Sequence, residues 1–362
     1  MFSILFFVRT IKLQPDYYIF ASMNRKLTIL FLFVISLQSL SAQIGGRYTY
    51  QFLNLVSSPR QAALGGKYVT GYNMDPTSAL LNPATINLDM HNQLAVNYVN
   101  YIADVNYGSV AYARAFGEKK RMFHIGVTYI NYGKFNGFDE FGNETASFGA
   151  GEVAISFGYA QQIKASRFHV GAGVKVISSK LEEYTSLGGA VDIGVIYHYP
   201  EEKLDAGLTI RNLGTQFTTY AGTREQLPLA IDLGVAKTLT GVPIRWNVTL
   251  ENLQIWDVAF SNPARDVTDL EGNVEEDDPS FINNALRHVV LGVEFFPESG
   301  FNVRVGYNFR RSEELRIVDQ RSFAGLSGGF SLKMGKFRFA YSYARYNAAA
   351  SSSTFGLNIN LQ

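Results

Sequence analysis

The stretch FNVRVGYNFR, residues 301–310, decides the fold class. Apolar side chains occupy every second position from Phe301 to Phe309, and polar or small residues occupy the positions between them. Successive side chains of a β-strand point to opposite faces, so this stretch predicts a strand with one apolar and one polar face. The same alternation occurs at 337–344 and at 355–361.

Similar segments follow one another from about residue 92 to the C-terminus, separated by turn-forming residues. We count fourteen segments, at 92–100, 105–115, 121–131, 150–162, 166–179, 185–198, 204–213, 229–240, 243–253, 285–296, 301–310, 322–333, 336–345 and 353–361. Short links lie at 116–120, 163–165, 199–203, 241–242, 297–300 and 334–335, and generally longer links at 132–149, 214–228, 254–284, 311–321 and 346–352. An even strand count with alternating short and long links is typical of a closed up-and-down barrel in an outer membrane.

Two further features favour this barrel over a soluble β-rich secreted domain. Ten residues tilted by ~40° cover about 25 Å, the height of the lipid-facing band, whereas soluble strands average about five or six residues. The polar faces also carry ionisable groups, which a wet lumen holds more readily than a dry sandwich core. These groups are Lys175, Asp192, Asp205, Arg211, Asp232, Arg245, Glu251, Glu294, Arg304 and Arg338. The sequence predicts an all-β fold, a transmembrane outer-membrane β-barrel of about 14 antiparallel strands over 92–362.

Composition excludes several function classes. Lys and Arg total 32 against 31 for Asp and Glu, so no strong positive field exists to attract nucleic acid. The chain has no cysteine, which removes disulfides, thiolate metal sites and cysteine nucleophiles. We therefore expect no nucleic-acid partner and no cofactor.

The N-terminal region carries an export signal that does not start at residue 1. A basic start at 23–26, an apolar run at 27–40 and small residues before Gln43 predict a signal peptide over 23–42, cleaved near Ala42. We interpret 1–22 as an upstream start that is not used. Since the apolar run falls short of the ~20 residues that cross a bilayer as a helix, a membrane anchor is the weaker interpretation.

Residues 43–91 do not follow the strand pattern. Glycines and prolines, among them Gly65, Gly66 and Pro83, interrupt regular structure too often for barrel strands. This leader is predicted either to fold into the lumen as an N-terminal plug or to form a loosely ordered periplasmic segment. Paired glycines allow positive φ and a close approach to the wall, and Asn82 with Pro83 fixes a turn.

The leader and the first strands resemble a known family. The stretches YTYQFLNL (48–55), RQAALGG (60–66), NPA (82–84), MHN (90–92) and YGSVAYA (107–113) together resemble the PorV/PorQ family of the type IX secretion system of Bacteroidetes. That family is similar to the long-chain fatty acid transporters, which are fourteen-stranded barrels with an N-terminal plug. The resemblance covers about residue 43 to the C-terminus.

The resemblance implies a role at the cell surface. Members of this family serve the attachment complex that receives secreted cargo and fixes it to lipopolysaccharide. The implied partners are the surface protein PorZ first, then the sortase PorU and the barrel PorV, together with outer-membrane lipid and lipopolysaccharide. In this family picture the barrel is an anchor and not the catalyst.

Motifs for catalysis are weak. GLSGG at 325–329 matches the serine-hydrolase pattern, but that pattern works only on a sharp strand-to-helix turn, and here it lies within a predicted strand. The five histidines are scattered without a metalloprotease spacing. A surface lipase built on Ser109 or Ser156 has no histidine that the sequence pairs with it. We predict no enzyme, no catalytic residue and no metal site.

Two predicted loops form a candidate docking surface for a partner. The loop 254–284 carries a cluster of acidic residues, namely Asp266, Asp269, Glu271, Glu275, Glu276, Asp277 and Asp278. The loop 132–149 carries Phe135, Phe138 and Phe141. Counted from Asp266, Leu270 occupies the third ligand position of an EF-hand pattern, so a solvated loop facing a partner is favoured over a calcium site.

Two functions follow as hypotheses. The first is a non-enzymatic outer-membrane component of the type IX system that anchors surface partners. The alternative is an outer-membrane transporter of hydrophobic small molecules, similar to the fatty acid transporters, in which the plug region gates the path.

Overall fold

The computed structural model describes residues 48–362 apart from 103–104, 118–120, 165, 260–266, 269–273, 276–278, 316–322 and 347–349. The predicted signal peptide and the upstream start therefore lie outside the described residues. No helix of the described part of the chain is long and apolar enough to cross a membrane.

The wall of the molecule is a closed barrel of fourteen antiparallel strands, which confirms the predicted fold. The strands, in chain order, are β1 Gln93–Asn100, β2 Asn106–Phe116, β3 Arg121–Phe135, β4 Phe148–Gln162, β5 Phe168–Leu181, β6 Tyr184–Tyr199, β7 Leu204–Thr218, β8 Ala230–Thr238, β9 Ile244–Leu250, β10 Val267–Thr268, β11 Val274–Glu275, β12 Val289–Phe295, β13 Phe301–Asn308, β14 Leu326–Met334, β15 Phe337–Arg345 and β16 Ser351–Asn360. The short β10 and β11 pair with each other outside the barrel, so β9 pairs with β12. The barrel closes where Gln93 of β1 lies opposite Asn360 of β16.

The alternation in residues 301–310 places side chains on the inner and outer faces of the wall as predicted. In β13, Asn302 is 1% exposed and Arg304 is 4% exposed on the inner face, while Phe301 is 49% exposed on the outer face. Apolar groups thus face the lipid and polar groups face the lumen. The lumen is nevertheless not an open wet channel, because eight of the ten predicted ionisable groups form ion pairs, most of them buried: Lys175 with Asp192, Arg211 with Asp232, Arg245 with Asp205, and Arg304 with Glu294.

The strands extend further than predicted at the end that carries the long links, which is the extracellular end in barrels of this kind. β3 continues to Phe135 and β7 to Thr218, so Phe135 belongs to a strand and not to a loop. Between β5 and β6 this end has a two-residue turn, in which Glu182 has a φ of 58°. The predicted loops 132–149 and 214–228 were therefore too long.

The leader from Tyr48 to Asn92 lies inside the barrel and folds as short helical turns. They are Gln51–Asn54, α1 Pro59–Ala63, Pro76–Leu80, Pro83–Thr85 and Leu88–Met90; outside the plug lie the turn Pro200–Glu202 and the helices α2 Phe281–Arg287 and α3 Phe309–Glu314. Three prolines that interrupt strand patterning each occupy the start of a turn, preceded by Ser58, Asp75 or Asn82 as cap. The first N–H groups of a helix have no partner within it, so a proline, which has no N–H, costs nothing there. These prolines therefore begin the helical turns of the leader. We call Tyr48–Asn92 the plug.

Candidate functional site

The plug rests on glycines of the inner wall. A Cβ atom at Gly171 of β5 would lie 2.4 Å from the backbone carbon of Pro83, and one at Gly306 of β13 would lie 2.2 Å from the nitrogen of Gly65. A Cβ at Gly194 of β6 would lie 1.9 Å from Oδ1 of Asn82. The plug backbone therefore approaches the wall at distances that only glycine allows.

The predicted plug residues lie at these contacts. Gly65 and Gly66 have φ of 90° and 96°, in the left-handed region that favours glycine. Asn82 is fully buried, donates from Nδ2 to the Val69 carbonyl at 2.9 Å, and accepts from the Ala84 N–H at 3.0 Å. These contacts fix the turn that seats Pro83 against β5.

The hydroxyl of the GLSGG motif serves the plug. Ser327 is buried in β14, accepts a hydrogen bond from the Gly65 N–H at 3.2 Å and donates to the Ala63 carbonyl at 3.2 Å. The residue lies near the start of β14, after a loop, and not on a strand-to-helix turn, so its geometry does not suit a nucleophile.

A charge network ties the plug to the same part of the wall. The Arg60 guanidinium of α1 lies 2.7 Å from Glu294 of β12, which in turn lies 2.8 Å from Arg304 of β13. Both wall residues are buried, and a buried charge that loses its partner is strongly destabilising. We call this part of the lumen, with Ser327 and Gly306, the anchored side.

Lys67 of the plug is buried near the anchored side. It lines a cavity of about 250 Å³ together with Arg310, Arg311, Glu251 and Glu314. Burial, followed by the charge of Arg211, lowers the pKa of Lys67 to about 8. This lysine therefore lies in a site that disfavours its charged form.

Two histidines that lie far apart in the sequence meet at Tyr72 of the plug. The Tyr72 ring lies 4.3 Å from the His198 ring and 4.8 Å from the His169 ring, measured between centroids. His198 Nδ1 lies 2.6 Å from Asp205. Within the described residues no group of three or more His, Asp or Glu side chains is placed to hold a metal ion.

The extracellular half of the lumen holds an apolar cluster. Tyr50, Phe52 and Leu53 of the plug pack there against wall residues. Those wall residues are Val99, Tyr107, Ile130, Ala154, Ile177 and Ala190, and Leu227 completes the cluster. We call this set the aromatic cluster.

The wall beside the aromatic cluster is irregular. Between β3 and β4, Asn131 pairs with Gly151 and Lys134 pairs with Gly149, so two residues of β3 oppose one of β4. This bulge breaks the regular ladder. A cleft of about 650 Å³ lies at the bulge and is lined by Ile130, Asn131, Gly133, Lys134, Gly149, Ala150, Gly151, Glu152, Val153, Ser178 and Lys180. We call it the cleft.

Residues from both faces of the wall line the cleft. Ile130 and Glu152 line it from buried positions, and Lys180 lines it from an exposed one. Ile130 also belongs to the aromatic cluster. Glu152 accepts a hydrogen bond of 2.6 Å from the Tyr132 hydroxyl. Sequence reasoning missed Glu152, although its position between the glycines and small residues of 149–154 sets it apart from an ordinary lipid-facing strand.

The candidate docking residues are only partly described. Phe138 is 60% exposed and Phe141 is 81% exposed between β3 and β4, whereas the Phe135 ring stacks on Phe148 at 5.5 Å. Of the acidic cluster, the structure gives only the backbone of Glu275, in β11. Its other members, Asp266, Asp269, Glu271, Glu276, Asp277 and Asp278, lie outside the described residues.

Comparisons with known proteins find similar folds among solved structures. No protein-family model and no curated protein matches the chain. The toluene transporter TbuX of Ralstonia pickettii is similar in structure, with a TM-score of 0.51 and 14% identity over 84% of this chain and 98% of that one. Two further structures are similar. One is a mutant of the monoaromatic hydrocarbon channel TodX, with a TM-score of 0.48 and 13% identity over 84% of this chain and 97% of that one. The other is a FadL homologue of Pseudomonas aeruginosa, with a TM-score of 0.46 and 10% identity over 84% of this chain and 98% of that one.

The chain has the FadL-like outer-membrane barrel fold. At 14% identity the likeness to TbuX establishes this fold alone. The fold places the protein in an outer membrane, because a closed barrel with a lipid-facing apolar band is built for that location.

Proposed function

We propose that this protein is an outer-membrane transporter of small hydrophobic molecules. The observation that carries the proposal is the cleft at the bulge of β3, whose lining includes Ile130 of the aromatic cluster. TbuX, whose fold the chain shares, is a toluene transporter, and this supports the same general class of substrate here.

A break in the wall suits an apolar solute for a physical reason. The plug and the ion pairs of the inner wall occupy the lumen, so a direct aqueous path is obstructed. A hydrophobic molecule is favoured in apolar surroundings by about 25 cal/mol per Å² of its surface removed from water. The aromatic cluster offers such surroundings and shares Ile130 with the lining of the cleft, so a solute that enters at the cleft need not cross the anchored side.

Uptake of radiolabelled toluene by intact cells that produce the protein tests this proposal. Gly149→Trp should fill the cleft and reduce uptake about tenfold, the equivalent of 1.4 kcal/mol. Gly149 suits this change because the nearest atom to an added Cβ, the Gly133 carbonyl oxygen, is 3.6 Å away. Gly300→Trp is the matched control, since it lies in the turn between β12 and β13 and a Cβ there meets only Lys333 at 4.0 Å. Equal uptake by both variants would contradict the proposal.

A second candidate is the anchoring of surface partners in a type IX attachment complex. The exposure of Phe138 and Phe141 at the extracellular end favours it, because large exposed aromatic groups are common in protein interfaces. The leader motifs add the family resemblance, with PorZ as the first partner and PorU and PorV as further ones.

Copurification from a native outer membrane separates the two candidates. Anchoring predicts that type IX surface proteins copurify with the tagged barrel and are lost from the double variant Phe138→Ser with Phe141→Ser. Phe281→Ser, in α2 and 71% exposed, is the control for a general loss of surface apolar area. A barrel that is purified without protein partners and with a bound hydrophobic molecule would favour transport.

A further inference from the structure

Glu152 is the carboxylate that the lumen leaves without a cation at the cleft. It is 7% exposed, and in the described part of the chain no Lys, Arg or His lies within ion-pair distance of it. Of the other buried carboxylates, Asp192, Asp232 and Glu294 each have a cationic partner within 3.1 Å. Glu251, far from the cleft, also forms no ion pair among the described residues and accepts a hydrogen bond from Asn308 at 3.2 Å. An unpaired buried carboxylate is costly, so its place beside a cleft calls for a functional reason.

Hydroxyl groups and aromatic rings surround this carboxylate. The Tyr132 hydroxyl donates to Glu152 Oε2 at 2.6 Å, and Ser179 lies opposite Glu152 in the pairing of β4 with β5. The Tyr220 hydroxyl donates to Ser179 at 2.6 Å, and the Tyr220 ring contacts the Tyr50 ring edge to face at 6.4 Å. Glu152 therefore lines the cleft with a carboxylate acceptor, and the tyrosine rings lie next to it, behind the lining of the cleft.

The cations of the cleft lie at its rim. Lys134 and Lys180 line the cleft from exposed positions and make no ion pair with Glu152. Water screens exposed charges strongly, whereas charges in the buried part interact at a much lower effective dielectric constant. A solute that passes the rim thus meets the carboxylate as the dominant charge.

We propose that Glu152 makes the cleft selective for neutral aromatic solutes that carry a hydrogen-bond donor, of which phenol is the simplest, and that it excludes carboxylate-bearing solutes. The inference rests on the proposed transport function and names its substrate class. An O–H donor gains a charge-assisted hydrogen bond to Glu152. A carboxylate in the same place would set two like charges against each other without compensation.

Equilibrium dialysis of the purified full-length barrel in detergent against labelled phenol, toluene and benzoate tests the proposal. The wild-type protein should bind phenol more tightly than toluene and should reject benzoate. Glu152→Gln keeps the size of the side chain and removes its charge, so phenol affinity should fall about tenfold while toluene affinity is unchanged and benzoate binding appears. Glu201→Gln, an exposed carboxylate at the opposite end, should change none of these.

The outcomes separate this inference from the function on which it rests. If toluene binds and the ratio of phenol to benzoate affinity is the same in Glu152→Gln as in the wild type, the selectivity role is wrong and transport stands. If none of the three solutes binds the wild type, both proposals fail. Tyr132→Phe gives an independent test should Glu152→Gln not fold: it frees the carboxylate for the solute, so phenol should bind more tightly and benzoate should stay excluded.

Discussion

Different interactions hold the plug on the anchored side of the lumen and at the cleft. The ring order of the strands places β13, on the anchored side, seven strands from β4, at the cleft, in either direction. On the anchored side Arg60, Glu294 and Ser327 fix the plug with charge and hydrogen bonds. At the cleft the plug meets the wall through aromatic and aliphatic contacts, and the ladder of the wall is irregular. This difference predicts that the wall opens at the cleft while the plug stays fixed on the anchored side.

The anchored side should show the largest loss on mutation. Glu294→Ala leaves Arg60 and Arg304 buried without their carboxylate, so the free energy of unfolding in detergent should fall by about 3–5 kcal/mol. Urea unfolding followed by gel mobility measures this change. Glu298→Ala, which removes an exposed pair with Lys203, is the control and should cost less than about 1 kcal/mol. Similar losses of stability in both variants would contradict the conclusion that buried charges hold the plug on the anchored side.

The buried charge of Lys67, near the anchored side, opposes folding. Its removal should therefore raise the free energy of unfolding. Lys67 has its pKa lowered to about 8 from 10.5, so below pH 8 the folded protein holds a buried charge at a disadvantage. Lys67→Met should therefore stabilise the protein at pH 7, by at most about 3 kcal/mol, because the substitution also removes the charge that Lys67 presents to Asp232.

The pH dependence gives the sign of this effect. Wild-type stability should rise relative to Lys67→Met as the pH increases from 8 to 10.5, where Lys67 loses its proton in the unfolded chain as well. Unfolding curves of both proteins at pH 7 and pH 10.5 measure the difference. A gap that stays constant over this range would contradict the buried charge.

The glycine contacts should give a smaller effect that depends on position. Gly171→Ala sets a Cβ 2.4 Å from the Pro83 backbone, and such overpacking costs about 1–3 kcal/mol. Gly173→Ala, two residues along the same strand, meets its nearest atom at 3.4 Å and should cost little. Thermal unfolding of the two variants measures the difference in stability between them. Equal melting temperatures would mean that the plug is not seated on β5.

The cleft should show the smallest stability effect. Tyr132→Phe removes one hydrogen bond next to an open cleft, where water can replace it, so it should cost about 1 kcal/mol or less. Limited proteolysis should find the plug as protected as in the wild type. Release of the plug by this variant would show that the two sides are not independent.

The alternation of apolar and polar residues predicts the wall well, and its failures have identifiable causes. Residues 131–134, Asn-Tyr-Gly-Lys, do not alternate apolar with polar residues, so the sequence ends β3 early and hides the bulge. The ion pairs depend on register: Glu294 and Arg304 lie directly opposite each other in β12 and β13, which no local pattern shows.

The candidate site is harder to predict because closure of the barrel makes it. Gly65, Gly66, Asn82 and Pro83 stand out in the sequence through backbone requirements that act locally. Glu152 acquires its character only when fourteen strands close and leave it, among the described residues, without a cation within ion-pair distance. A single sequence carries no signal for that kind of isolation.

If solutes cross at the cleft while the plug stays seated, a covalent lock on the anchored side should leave transport unchanged. Ala63→Cys with Ser342→Cys is a suitable pair for a disulfide, because the Cβ atoms of both residues lie within 3.0 Å of one point, the position of an added Cβ at Gly329, and the chain has no other cysteine. The measurement is toluene uptake by cells that carry this variant, oxidised and reduced. We expect equal uptake in both states; loss of uptake on oxidation, restored by reduction, would show that the plug must move and would contradict the claim.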